Sequence, residues 1–272
     1  MGIKWIAFAC GNCAPCMVGA DGICQKGQVS GYSRPGTFQE YVLAPAHYVT
    51  PIPDGLPSDI AAPLLCGGVT AYSALRKSRA QPGDWVVVAG AGGGLGHLAL
   101  QLGGRGMGFR MIGLDVGSKE ALAKSCGAEV FIDISKHTTA DEGHGITKEV
   151  MKATGGHGAS AVVVCSASYA AYAQALEYLN FNGTLVCVGV PGGDPTPIAN
   201  AYPHLMVAKQ LAIVGSNVGS RKEAIETLNM AKRGVVKTHF TKEKLGNVNS
   251  IFQEMKAGNL QGRVVLDLQD SS

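Results

Sequence analysis

Four of the eight cysteines in this 272-residue chain stand at positions 10, 13, 16 and 24. A Cys-x-x-Cys turn brings two sulfurs within reach of one tetrahedral ion, and Zn²⁺ held by four thiolates is the commonest closed site of that kind. Gly11, Gly19 and Gly22 give the loop freedom to wrap around an ion. Two other chemistries use thiols at this density. A disulfide pair needs an oxidising compartment, and the apolar run at 3–9 is too short and too poorly flanked for a signal peptide. An iron–sulfur cluster takes thiolates at similar spacing. Zinc is the preferred reading. Four protein ligands leave no position for substrate, so Cys10, Cys13, Cys16 and Cys24 are expected to fold a lobe rather than to react.

A second candidate site reads VVVAGAGGGLGHLALQL. Gly93 and Gly96 match the second and third glycines of G-x-G-x-x-G, with Ala91 at the first position and Gly92, Gly94 and Leu95 between. The second glycine lets backbone approach a pyrophosphate, and the third lets helix and strand pack closely. The phosphates then meet free N–H groups at the helix N-terminus. Asp115 lies nineteen residues after Gly96, at the end of the next apolar run. A carboxylate there accepts hydrogen bonds from ribose hydroxyls and repels a 2′-phosphate, which favours NAD over NADP. A turn aspartate is the plainer reading of Asp115. Lys119 is either a second ribose contact or a solvated lysine at a helix start.

The elements that must hold this turn are legible as apolar runs at 85–89, 109–114, 130–134, 161–165, 184–190 and 211–215. Segments of helical spacing separate most of them, as with Leu95, Leu98, Ala99 and Leu102. Six strands alternating with helices predict an α/β fold, an open parallel sheet covered on both faces. The helix after the fingerprint runs into LGGRGMG. Each glycine costs roughly 0.5–1 kcal/mol relative to alanine in a helix interior, so its end is expected to fray.

Composition narrows the partners. The net charge is +3 and no Lys/Arg stripe stands out, so neither nucleic acid nor an anionic membrane is expected. No run approaches a membrane span. A soluble cytoplasmic protein is expected.

The four-cysteine lobe and the glycine turn together resemble the zinc-dependent alcohol dehydrogenases of the medium-chain dehydrogenase/reductase family, yeast and fungal branch. The likeness runs through GIKW at 2–5, GTFQEYV at 36–42, PLLCGGVTAY at 63–72, GAGGGLG at 90–96, VGVP at 188–191 and GRVVLD at 262–267. The resemblance implies a Rossmann-type doubly wound sheet joined to a GroES-like β domain, here incomplete, with a zinc-binding lobe at 10–24. The implied boundaries are a partial catalytic domain at 1–62, an NAD-binding domain at 63–235 and a C-terminal return at 236–272. It also implies that the four cysteines hold structural zinc, that Cys66 is a catalytic-zinc ligand, and that Thr70 touches the nicotinamide. Val188 and Val190 then present backbone to the carboxamide, and Arg263 contacts the pyrophosphate. Read without the family, Cys66 is a half-buried small apolar residue and Arg263 a surface charge.

The resemblance further implies a segment before GIKW that carries two catalytic-zinc ligands, a cysteine and a histidine, together with the proton-relay hydroxyl. The residues at hand hold only Cys66 of that set, and histidines 47, 97, 137, 144, 157, 204 and 239 fall in none of the family's ligand motifs. That segment also supplies most of the β-core, so stretches 41–49 and 264–268 are expected to lack sheet partners. The implied activity is NAD-dependent hydride transfer between a small alcohol and its aldehyde or ketone. The alternatives are a catalytically impaired NAD(H)- and zinc-binding relic and a reductase working without catalytic zinc. Self-association through the nucleotide domain is the implied assembly.

Overall fold

Residues 1–137 and 144–268 are described in a computed structural model of the chain. Two compact units are present, one made of residues 1–73 and 217–272, the other of residues 74–216. The expected boundaries at 62/63 and 235/236 thus differ from the breaks in compactness at 73/74 and 216/217. Stretches 63–73 and 217–235 fall with the N-terminal residues because Val69, Val218 and Ala224 pack together against Trp5.

The first unit begins with β1 (Ile6–Phe8) paired antiparallel to β2 (Gln28–Val29), with α1 (Ala14–Met17) between them. Residues 41–49 form no strand, as expected, and the chain regains pairing at the Gly2–Thr50 bridge. Helix α2 (Ser58–Pro63) then widens into a π-helical stretch, Leu64–Gly68, before α3 (Val69–Lys77). Pro63 has no N–H to give to the ladder and two glycines follow it, which together loosen the helical repeat there.

The second unit carries β3 (Trp85–Ala89), β4 (Arg110–Asp115), β5 (Val130–Asp133), β6 (Ala159–Val164), β7 (Leu179–Cys187) and β8 (Ala212–Gly215). They form one parallel sheet in the order β5-β4-β3-β6-β7-β8. This is the doubly wound order, with its switch point between β3 and β6. The connecting helices are α4 (Gly96–Gln101), α5 (Glu120–Ser125), α6 (His144–Ala153), α7 (Tyr169–Ala175) and α8 (Pro203–Lys209). Val86, Val87, Val88, Val162, Val163 and Val164 are fully buried. Strands covered on both faces read as unbroken apolar runs, as β3 and β6 do, whereas β5 and β8 are only partly buried and show as shorter runs. The run at 184–190 is displaced: β7 starts at Leu179 and ends at Cys187, so Val188 and Val190 lie in the following loop.

The expected fraying after the fingerprint does not occur. The helix continues as a π-helical stretch, Leu102–Gly106, with Leu102 and Gly103 buried. A Cβ at Gly103 would lie 2.7 Å from Met111 Sδ on β4. The glycine costs helix propensity but permits that close approach, and packing wins.

The chain then returns to the first unit through α9 (Arg221–Lys232), β9 (Phe240–Lys244), α10 (Val248–Lys256) and β10 (Arg263–Asp267). The expectation that 264–268 lacks a partner is corrected: β10 pairs in parallel with β9 over all five of its residues. No helix among the described residues is long and apolar enough to cross a membrane.

Candidate functional site: a four-thiol lobe and a glycine turn

In the first unit, α1 and the turn at Asp21–Ile23 fold the four cysteines onto a common centre. All four sulfurs lie within 4.8 Å of one another. The Cys13–Cys16, Cys13–Cys24 and Cys10–Cys24 Sγ separations are 3.5, 3.8 and 3.6 Å. Four sulfurs tetrahedrally placed at about 2.3 Å from zinc stand about 3.8 Å apart. A disulfide needs about 2.05 Å, and all eight cysteines are free. The backbone N–H groups of Cys10 and Lys26 point at Cys24 Sγ, each at 3.3 Å. Backbone N–H groups at Cys16 and Gln25 pull the Cys13 thiol down to about 6, while desolvation pushes Cys16 up to about 12. The donor set therefore fits one soft divalent cation. Among the described residues no other group of three or more His, Cys, Asp or Glu side chains gathers closely enough to hold a metal.

In the second unit, the turn between β3 and α4 is built from backbone. Gly90 and Ala91 donate N–H bonds to Leu114 O at 2.9 and 3.1 Å, which ties the turn to the end of β4. The left-handed φ of +84° falls on Gly90, one residue before the fingerprint position given to Ala91 in the sequence. Ala91 is instead fully buried. A Cβ at Gly96 would lie 2.0 Å from Gly90 O, the close helix–strand approach assigned to the third glycine. At Gly93 a Cβ would meet only Gly90 O, at 3.3 Å, and Gly94 and Leu95 complete the path into α4.

Asp115 closes this turn from the neighbouring strand. Its Oδ2 accepts from Gly92 N at 2.9 Å, and its Oδ1 accepts from Val116 N at 2.8 Å and lies 3.9 Å from Lys119 Nζ. The Lys119 stem packs over Gly92, where a Cβ would come within 2.5 Å of Lys119 Cβ. A cleft of about 300 Å³ opens beside Asp115, with His137, Ser166, Ser168 and Gln174 among its walls. These four escaped the sequence reading. The signal that could have found Ser166 and Ser168 is their place just past β6, at the switch point of the sheet. On the loop after β7, a Cβ at Gly189 would sit 2.3 Å from Ser166 O, and its carbonyl accepts the Tyr172 hydroxyl. Val188 and Val190 flank it, Val190 largely exposed.

The other candidates lie in the first unit. Cys66 sits exposed within the π-helical stretch, on a groove of about 430 Å³ that Phe38, Leu65 and Arg263 also line. The protein wall around the thiol pushes it above its ordinary range, partly offset by the Arg263 charge. Arg263 presses on the same stretch: a Cβ at Gly67 would lie 2.5 Å from its Nη2. Thr70, almost buried, donates its hydroxyl to Cys66 O at 2.6 Å. An open catalytic zinc site takes three protein ligands. Among the described residues Cys66 is not part of any such group.

The chain is similar to known proteins over nearly all of its length. Residues 94–233 match the family model of zinc-binding dehydrogenases, and residues 2–54 match that of the alcohol dehydrogenase GroES-like domain. The chain is 59% identical to alcohol dehydrogenase 2 of Emericella nidulans, over 98% of its own length and 73% of that protein's. The crystal structure of an alcohol dehydrogenase from Aeropyrum pernix superposes with a TM-score of 0.85 at 29% identity, covering 98% of this chain and 75% of that one. That of an NAD-dependent alcohol dehydrogenase gives 0.86 at 26% identity, covering 97% and 75%. The chain belongs to the zinc-type alcohol dehydrogenases of the medium-chain dehydrogenase/reductase family, NAD-dependent oxidoreductases with a Rossmann and a GroES-like domain.

Proposed function

We propose that this chain binds NAD at the glycine turn of its second unit and takes part in hydride transfer between a small alcohol and its aldehyde or ketone. The observation that carries the proposal is the closure of the turn by Asp115 through Gly92 N. It supports the reading because a strand-end carboxylate held against such a turn is the group that accepts from ribose hydroxyls in dinucleotide-binding folds. When bound, NAD supplies the hydride acceptor at its nicotinamide ring. The chain's own residues do the holding. Gly93 leaves the backbone free to approach phosphate oxygens, and the first N–H groups of α4 face them. The remaining lone pairs of Asp115 accept from ribose, and its charge opposes a 2′-phosphate. Lys119 stands beside it as a partner to the same hydroxyls. The cleft with His137, Ser166, Ser168 and Gln174 takes the adenosine end. Thr70, the backbone at Val188 and Val190, and Arg263 are assigned to the nicotinamide end and the pyrophosphate.

The four-thiol lobe takes structural zinc. Cys66 is assigned as one ligand of a catalytic zinc, but alone it does not make an open three-ligand site. The setting is taken to be cytoplasmic, and self-association through the nucleotide domain is part of the proposal. The test follows NADH absorbance while the purified chain is given NAD or NADP with a panel of primary and secondary alcohols. Alcohol-dependent reduction of NAD in preference to NADP is expected. No NADH with any alcohol, from protein that binds NADH, defeats the catalytic part of the reading.

A further inference from the structure

A cluster of charged and polar side chains lies next to the four-thiol lobe and outside every site above. Asp21 begins the turn that leads into Cys24, and its backbone oxygen accepts from Cys24 N at 3.2 Å. Its carboxylate accepts the Arg221 N–H at 2.9 and 3.3 Å, the first helical N–H of α9. The same carboxylate accepts the Tyr48 hydroxyl and stands 3.7 Å from Lys4 Nζ. Lys4 is 2% exposed; its ammonium donates to Gly219 O at 3.1 Å and lies 4.9 Å from the Tyr48 ring centre. The Tyr48 ring packs in a cluster with Cys16 and Cys24. The flat face of Gly22 completes the join, since a Cβ there would lie 3.3 Å from both Asn217 O and Gly219 O.

This is an external cap. Within α9, Ser220 and Glu223 form a capping box that satisfies two donors. The Arg221 N–H is left to a carboxylate borrowed from a loop two hundred residues away in sequence. An anion there also suits the positive end of the helix dipole. Helix α9 in turn backs the π-helical stretch that carries Cys66. A Cβ at Gly68 would lie 3.0 Å from Thr227 Cγ2, and one at Gly219 would lie 2.7 Å from Val69 Cγ2.

We propose that zinc in the four-thiol lobe is coupled, through Asp21, to the order of the first turn of α9 and of the Cys66 stretch packed on it. Asp21 is thus a positioning residue: metal fixes the loop, the loop fixes the carboxylate, and the carboxylate completes the helix. The proposal rests on the reading of the lobe as a zinc site.

The test uses the full chain, zinc-loaded and after chelation, with peptide-resolved hydrogen exchange and peptide-resolved alkylation of Cys66. In the wild type, chelation is expected to speed exchange of the 221–224 amides about tenfold and to raise the Cys66 alkylation rate severalfold. In Asp21→Ala, zinc stays bound, the 221–224 amides already exchange fast, and chelation changes them no further. Should Asp21→Ala not fold, Asp21→Asn keeps one acceptor oxygen but loses the charge. Its response to chelation is expected to fall below half that of the wild type. A chain that is isolated without zinc overturns the lobe reading and the proposal with it. A zinc-bound chain whose 221–224 amides and Cys66 ignore chelation overturns the proposal alone. So does a variant whose response matches the wild type.

Discussion

Replacing Gly96 by alanine sets two known effects against each other. Alanine is the better helix former by about 1 kcal/mol, and Gly96 opens α4, so propensity alone makes the variant more stable. Packing opposes this. The added methyl would lie 2.0 Å from Gly90 O, 2.7 Å from Ala91 Cα and 2.8 Å from Ala91 C. These are backbone atoms of a turn pinned to β4 by two N–H bonds to Leu114 O, so no side-chain rotation relieves the clash. Overpacking typically costs about 1–3 kcal/mol and sits at the upper end where backbone must move. The expected net loss is about 1–2 kcal/mol, a fall in Tm of about 2–8 °C for a unit of this size. NADH affinity falls with it, because the displaced turn is the one that carries the phosphate-facing amides. Gly93→Ala is the control. Its methyl would meet only Gly90 O, at 3.3 Å, a tight contact that the turn relieves by moving a few tenths of an ångström, so its loss of stability should be clearly smaller than that of Gly96→Ala. The assay is urea unfolding of both variants, with an NADH fluorescence titration on each. A Gly96→Ala protein as stable as the wild type refutes the close-approach argument.

Asp115→Asn removes the charge but keeps an acceptor for Gly92 N. Loss of charged hydrogen bonds worth about 1.5–3 kcal/mol predicts an NADH Kd about ten- to a hundredfold higher, with little change for NADPH; unchanged discrimination contradicts the role. Burial pulls Lys4 from 10.5 down to about 8, with Asp21 opposing the shift. The folded state therefore holds this proton less tightly than the unfolded state, and stability rises with pH between those two values. Compared with Lys4→Met, the wild type should gain on the order of 2–3 kcal/mol from pH 7.5 to 10.5, read from urea midpoints; a flat difference contradicts the burial argument. Cys13→Ser should lower zinc content from one per chain towards zero and leave the Rossmann unit's NADH binding intact, as metal analysis and titration would show; full zinc content contradicts the four-thiol site.

The inner strands of the sheet were legible because double burial leaves no room for polar residues, as at Val86–Val88 and Val162–Val164. Strand β7 carries Asn180 and Asn182 near its start, so its apolar run begins later than the strand does. The lobe was legible because its four ligands lie close in sequence. What stayed hidden depends on contacts distant in sequence or on local geometry that spacing does not encode. The left-handed turn residue proved to be Gly90 rather than its neighbour, since several glycines in GAGGGLG satisfy the pattern equally. The π-helical stretches at Leu64–Gly68 and Leu102–Gly106 carry no periodicity of their own. The pairing of β9 with β10 joins strands separated by α10, and the Asp21–Arg221 contact spans 200 residues of sequence. His137 and Gln174 reach the cleft beside Asp115 from segments whose sequences resemble ordinary polar loops and helix faces.

We propose that NAD binding by this chain rests on the glycine turn and does not depend on the Cys66 thiol. The most direct test is fluorescence titration of NADH into the wild type, Gly93→Asp and Cys66→Ser, with urea unfolding as a check on each. The expected result is saturable binding to the wild type and to Cys66→Ser, and loss of binding in a folded Gly93→Asp protein. Equal binding by all three contradicts the claim.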